Sequence, residues 1–136
     1  MRLLLPLLLA LALPAVAAAQ PLPIDQTCAE VTGCFPGDDP GFPVTITQPG
    51  EYVLTSDLVS SPNSSWIIYG PGVAFSLDLG GFHVSAGYGI RAAQLTLRNG
   101  SLFTSAWAID GGFLIEDVTV YAGDRKSTRL NSSHVR

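Results

Sequence analysis

Between Pro43 and Val120 the chain is a succession of short runs in which apolar and polar residues alternate. Pro43-Val44-Thr45-Ile46 and Tyr52-Val53-Leu54-Thr55 flank Gln48-Pro49-Gly50, where proline presets φ and glycine permits its positive value, so two strands joined by a turn are expected. After a polar stretch from Ser60 to Ser65 come Phe75-Ser76-Leu77-Asp78-Leu79, Phe82-His83-Val84, Leu95-Thr96-Leu97 and Val118-Thr119-Val120. Alternation of period two places every second side chain on one face of a strand. No window of eleven or more residues carries a helical period, so the chain reads as all-β.

The spacing of the runs says more than the runs themselves. Phe75, Leu77 and Phe82 recur twenty residues later as Leu95, Leu97 and Leu102, with Ser76 over Thr96 and Asp78 over Arg98. Tyr88-Gly89-Ile90-Arg91 recurs nineteen residues on as Trp107-Ala108-Ile109-Asp110, and Leu95-Thr96-Leu97 twenty-three on as Val118-Thr119-Val120. A period near 20 marks a repeat protein, and one coil of a parallel β-helix is the unit that fits. The expected inward positions are Ile68, Phe75, Leu77, Phe82, Val84, Ile90, Leu95, Leu97, Leu102, Ile109, Ile115, Val118 and Val120. A single coil cannot bury such a row alone, so stacking of coils is obligatory.

Both ends differ from this middle. Residues 1–19 open on Met1-Arg2, run through Leu- and Ala-rich sequence and end in Ala17-Ala18-Ala19; 16 of the 19 are apolar. A positive start, a short apolar stretch broken by Pro6 and Pro14, and small residues at the end form a secretory signal peptide cleaved after Ala19. The expected location is secreted, periplasmic or cell-surface, with no membrane span after cleavage. At the other end, Asp124-Arg125-Lys126-Ser127-Thr128-Arg129-Leu130-Asn131-Ser132-Ser133-His134 resembles the translation of a sequencing-library adapter, codon by codon. On that reading residues 124–136 are an artefact tail and the natural chain continues past Gly123. The expected layout is a leader at 1–19, a Pro/Gly-rich lead-in at 20–42, coils at 43–123 and the tail at 124–136.

Charge becomes informative only after this division. The whole chain carries −4, whereas residues 20–123 hold ten acids against Arg91 and Arg98, a net −8 with no lysine. Nucleic acids and anionic membrane surfaces require a cationic face, so neither is expected as a partner. Cys28 and Cys34 lie in the lead-in. Export makes a disulfide between them the default, and a zinc site would need about four ligands.

Ile46-Thr47-Gln48-Pro49-Gly50-Glu51-Tyr52-Val53-Leu54-Thr55, Phe75-Ser76-Leu77-Asp78-Leu79-Gly80-Gly81-Phe82, Gly89-Ile90 and Leu95-Thr96-Leu97-Arg98-Asn99-Gly100-Ser101-Leu102 together resemble the opening coils of secreted bacterial right-handed parallel β-helix proteins of the pectate-lyase-like superfamily. The resemblance spans about residues 28 to 121. It implies three to four N-terminal coils of a truncated right-handed β-helix and an extracellular polysaccharide as partner. That superfamily includes pectin and alginate lyases, polygalacturonases, epimerases and adhesive proteins, and its catalytic residues come from later coils. The fold therefore does not select an activity.

The candidate chemistry is sparse. Glu116 and Asp117 are adjacent carboxylates, but neighbours in a strand point to opposite faces and do not converge on one substrate. Asp38 and Asp39 suggest a calcium loop that supplies too few of the six to eight oxygens that ion takes, so no cofactor is expected for this stretch of chain. Asp78 over Arg98 and Arg91 over Asp110 are expected to pair across successive coils, leaving no arginine spare for lyase chemistry. His83 is expected to face outward. Asn63-Ser64-Ser65 and Asn99-Gly100-Ser101 are formal glycosylation sequons that read as turns. Trp66, Tyr69, Tyr88 and Trp107 are the candidates for an exposed aromatic stripe that stacks on sugars. Three functions stay open: a non-catalytic surface or glycan-binding solenoid, a polysaccharide lyase or glycoside hydrolase with its active site beyond Gly123, and a purely structural repeat.

Overall fold

The computed structural model describes residues 20–61 and 65–123. The leader, Asn63 and the basic tail lie outside the described residues. The described chain is a parallel β-solenoid of about four turns. Its elements are β1 (Leu22–Ile24), a short π-helical turn (Cys28–Thr32), β2 (Val44–Thr45), β3 (Gly50–Leu54), β4 (Leu58–Val59), β5 (Trp66–Asp78), β6 (His83–Ala86), β7 (Tyr88–Thr104) and β8 (Ile109–Ala122). Every strand pairing is parallel: β1 on β3, β2 and β3 on β5, β4 on β6, β5 and β6 on β7, and β7 on β8.

Three columns of like residues fill the interior. Val44, Ile68, Ile90 and Ile109 stack on one wall, Tyr52, Leu77, Leu97 and Ile115 on a second, and Leu58, Val84, Leu102 and Val120 on a third. Eleven of the thirteen expected inward residues are buried. Phe82 and Val120 are half-buried. Ile24, Ile46, Leu54, Ile67 and Leu79 are also fully buried.

The repeat is not uniform, and this corrects two of the expected alignments. Phe75, Ser76, Leu77 and Asp78 do stand beside Leu95, Thr96, Leu97 and Arg98 at twenty residues. Beyond Gly80-Gly81 the offset falls to eighteen, so Val84 rather than Phe82 lies beside Leu102. Those two glycines have φ of 60° and 84° and form a wider corner than the next coil has. Leu95 and Leu97 lie beside Phe113 and Ile115, not Val118 and Val120, which instead flank Gly100 and Leu102. The nineteen-residue match of Ile90 to Ile109 and Arg91 to Asp110 holds, and the register then shifts before Gln94 meets Gly112. Gly111 sits at that shift with φ of 123°, where a Cβ would lie 1.7 Å from the carbonyl oxygen of Ala92. Only a residue without a side chain lets the two coils approach so closely.

The expected short runs also merge. β7 continues for 17 residues through Asn99, whose φ of 60° turns the corner without breaking the ladder, and Asp117 makes the corresponding corner in β8 at 53°. Asn and Asp tolerate this left-handed region better than other residues with side chains.

The lead-in segment closes one end. Cys28 and Cys34 form a disulfide whose Cα atoms are 4.8 Å apart, and the buried Ala29 carbonyl accepts from the Gly41 N–H at 2.7 Å. The first of the two adjacent acids, Asp38, is buried and clamps backbone: Oδ2 accepts from the Cys34 N–H at 2.7 Å and Oδ1 from the Thr45 N–H at 2.8 Å. Both carboxylate oxygens of Asp38 thus serve the fold by holding backbone N–H groups of the lead-in and of β2.

Tyr52 joins this end to the coils. Its ring makes edge contacts with Phe35 and Phe75 at 5.2 and 5.8 Å, and its hydroxyl donates to the Gln48 carbonyl at 2.7 Å. Burial raises its pKa above the ordinary tyrosine value. The fold holds the neutral phenol, so this contribution is complete below about pH 10 and is lost as pH rises through the folded-state value. Thermal melts of wild type and Tyr52→Phe are expected to diverge below pH 10 and converge above it. A constant difference across that range would contradict the assignment.

Candidate functional site

Outward positions are defined by the same registers as the core. Trp66 lies beside Tyr88, with ring centroids 5.4 Å apart and planes tilted by 56°. Carrying the Ile90 to Ile109 register back two residues sets Trp107 beside Tyr88, and the Gly89 N–H donates to the Trp107 carbonyl at 2.8 Å. Trp66, Tyr88 and Trp107 therefore occupy one position in three successive coils. Trp66 is half-buried and Trp107 is 45% exposed. Tyr69 is not part of this column: it lies between Thr45 and Arg91, three residues further along the coil.

A second outward column was not visible in the sequence. Val59, Ser85, Phe103 and Tyr121 are successive ladder partners. The Phe103 and Tyr121 rings stack at 5.1 Å with planes 5° apart, and the exposed His83 ring lies 6.1 Å from Phe103. An open groove of about 490 Å³ runs beside them, with Ser60, Ala86 and Thr104 along it. The alternation Leu102-Phe103-Thr104 points Phe103 outward, but its stacking on Tyr121 requires the eighteen-residue offset that follows the register shift between Arg91 and Gln94.

The third cluster lies on the outer face of the β3, β5 and β7 wall. Glu51, Ser76, Asp78 and Arg98 line a cavity of about 170 Å³ together with Pro21 and Tyr52. Glu51 is the ladder partner of Ser76, and Asp78, two residues on, is the partner of Arg98. Two carboxylates thus stand on one face in diagonal positions, where cross-strand side chains reach each other. The expected Asp78–Arg98 ion pair does not close. Asp78 Oδ1 accepts instead from the Gly80 N–H at 2.7 Å and from Asn99 Nδ2 at 3.4 Å. Arg98 has Glu116 as its ladder partner on the other side, yet its Nε is buried without a hydrogen-bond partner among the described residues. The expected Asp78–Arg98 pair is corrected: Asp78 takes the local Gly80 N–H in an Asx turn, and the Arg98 Nε has no hydrogen-bond partner among the described residues. Arg91 does pair with Asp110 at 3.2 Å, both side chains about half exposed.

Glu116 and Asp117 stay apart in role, since Glu116 continues the ladder and Asp117 makes the corner, and both are exposed. No helix among the described residues is long and apolar enough to cross a membrane. Comparison with protein-family models, with curated proteins and with solved structures returned no match.

Proposed function

We propose that this chain is the glycan-binding part of an exported β-solenoid, delivered by the leader at residues 1–19 and acting on extracellular polysaccharide. The observation that carries the reading is the column of Trp66, Tyr88 and Trp107 on three successive coils. Coils rise by about 4.8 Å per step, so exposed rings recur at a spacing comparable to that of sugar units along a polysaccharide. Aromatic rings offer apolar faces to the C–H faces of sugars, while their polar edges remain in water. The −8 charge of residues 20–123 favours an uncharged glycan over polyanions. The disulfide is compatible with an extracellular or periplasmic location. The pectate-lyase-like resemblance of the coils points to extracellular polysaccharide as the partner.

The chain has two tryptophans and both belong to the column, so intrinsic fluorescence reads the site directly. Titration with soluble neutral polysaccharides is expected to shift or quench the emission to saturation. Trp107→Ala is expected to weaken binding about tenfold, the equivalent of one aromatic contact of roughly 1.4 kcal/mol. An emission that no neutral or acidic glycan alters would overturn the proposal and leave the purely structural repeat.

A specific observation also supports a second reading, hydrolysis or lyase chemistry at Glu51, Asp78 and Arg98. Two carboxylates facing one cavity are the minimum for acid–base cleavage of a glycosidic bond, and the Arg98 guanidinium beside them, its Nε without a partner among the described residues, suits a carboxylate-bearing sugar. Release of new reducing ends by the wild type, lost in both Glu51→Gln and Asp78→Asn, would favour this reading over binding alone.

A further inference from the structure

Ring faces hold sugars through apolar contact, and the choice among sugars falls to polar groups placed beside them. The coils that carry the rings also supply such groups. In three successive coils one pattern of exposure repeats: 66–69, 88–91 and 107–110 each have two buried residues in the middle and a residue that reaches solvent at either end. The buried pairs are Ile67 and Ile68, Gly89 and Ile90, and Ala108 and Ile109. Two outward rows therefore run side by side along the solenoid. One is the aromatic column, and the other is Tyr69, Arg91 and Asp110, preceded in the first coil by Thr45. Three residues of strand separate the rows by at most about 10 Å.

One ion pair organises the second row. Arg91 Nε and Asp110 Oδ2 are 3.2 Å apart, and the two side chains are 49% and 46% exposed. A pair so open to water adds little to stability. A guanidinium has five N–H donors and a carboxylate two acceptor oxygens, so a pair joined through Nε and Oδ2 keeps capacity for a ligand. It sets a donor beside an acceptor, and its net charge is zero. A matching ligand offers an acceptor and a donor on adjacent positions and carries no charge of its own. Two neighbouring hydroxyls of a sugar ring do this: one accepts from the guanidinium and the other donates to the carboxylate.

We infer that Arg91 and Asp110 are the specificity-determining residues of the glycan site and that they select neutral sugars with two free adjacent ring hydroxyls. This rests on the glycan reading of the aromatic column and goes beyond it by naming which sugars the site retains. Arg91 follows Tyr88 by three residues and Asp110 follows Trp107 by three, so each polar group accompanies a ring on its own coil. A sugar stacked on the rings brings its hydroxyls toward the pair. A sugar carboxylate at the same place meets Asp110 as a like charge, and an acetamido group in place of one hydroxyl breaks the match. A site built around two hydroxyls discriminates strongly against a ligand that lacks one, because its own polar groups are then left unpaired.

The test is fluorescence titration of the full chain with mannohexaose, cellohexaose, xylohexaose and chitohexaose. The first three carry two free adjacent hydroxyls on every internal ring, and chitohexaose carries an acetamido group in place of one of them. At least one of the three is expected to bind ten times more tightly than chitohexaose, or better. Arg91→Ala and Asp110→Ala are each expected to weaken that binding about tenfold and to erase the preference, with circular dichroism and thermal melting near wild type because the pair is half exposed. Trp107→Ala is expected to weaken every bound sugar alike and to keep the preference. Chitohexaose bound as tightly as the others overturns the inference, as does a loss in Trp107→Ala that Arg91→Ala and Asp110→Ala do not share; both outcomes leave the glycan reading standing. An emission that none of the four alters also overturns the inference, and the wider polysaccharide titration then decides the glycan reading by itself.

Discussion

Leu97→Ala is expected to destabilise the solenoid by about 3–4 kcal/mol, the range for emptying a rigid apolar site, and to lower Tm by roughly 10–25 °C. Leu97 is fully buried between Leu77 below and Ile115 above, and it belongs to β7, which is paired on both sides. The interior is a set of columns rather than a pool. Its walls are tied by ladder hydrogen bonds, so they cannot collapse into the space left by the removed atoms. A domain of about 100 residues has some 5–15 kcal/mol in total, so this single change removes a large part of it. Leu114→Ala on the outward side of β8 is the matched control and is expected to stay within about 0.5 kcal/mol. Denaturant titration of the two variants distinguishes a packed interior from a loose one: a Leu97→Ala loss below about 1 kcal/mol would contradict the packed column.

Asp38→Ala is expected to cost about 3 kcal/mol and to act at the end of the solenoid rather than in its wall. The carboxylate accepts from the Cys34 and Thr45 N–H groups, one in the disulfide loop and one at the edge of β2. Truncation leaves both donors unpaired at half-buried positions, each at about 1–3 kcal/mol. Asp38→Asn keeps one good acceptor and turns an amide N–H toward the other donor, so an intermediate loss is expected. Hydrogen exchange at Cys34 and Thr45 should accelerate in both variants. Addition of a chelator to the wild type separates this role from ion binding: unchanged unfolding supports the backbone clamp, and a fall in stability would contradict it.

Much of the solenoid is visible in one dimension because its ladders join residues about one coil apart. Ser76 and Thr96, Asp78 and Arg98, and Arg91 and Asp110 can be aligned by counting, and each is a true ladder pair. Counting fails where the coil changes length. The Gly80-Gly81 corner holds two residues more than the next corner, and the pattern of apolar residues tolerates either offset because both are even and keep the inward face inward. Hence Val84 could be exchanged for Phe82 without any conflict in the sequence.

The candidate sites divide along the same line. Trp66, Tyr88 and Trp107 are separated by similar distances in sequence and emerge together, whereas Tyr69 is displaced by three positions along the coil. Phe103 and Tyr121 are joined only by the shortened register. Glu51 belongs to the first coil, twenty-five residues from its ladder partner Ser76, and this longer spacing hid its place on the same face as Asp78 and Arg98.

Alternation and a period near 20 by themselves determine that this chain is all-β, that its strands stack in parallel coils and that Leu77, Leu95 and Leu97 face inward, since each is a consequence of local geometry repeated along the chain. Tertiary structure alone decides what competes for each polar group. Asp78 turns to its own Asx loop and leaves the Arg98 Nε without a partner among the described residues, Asp38 clamps the Cys34 and Thr45 N–H groups, and Gln26 covers the β4 edge. Those outcomes depend on which donor lies within about 3 Å of which acceptor after the chain has closed on itself, and no one-dimensional pattern carries that distance.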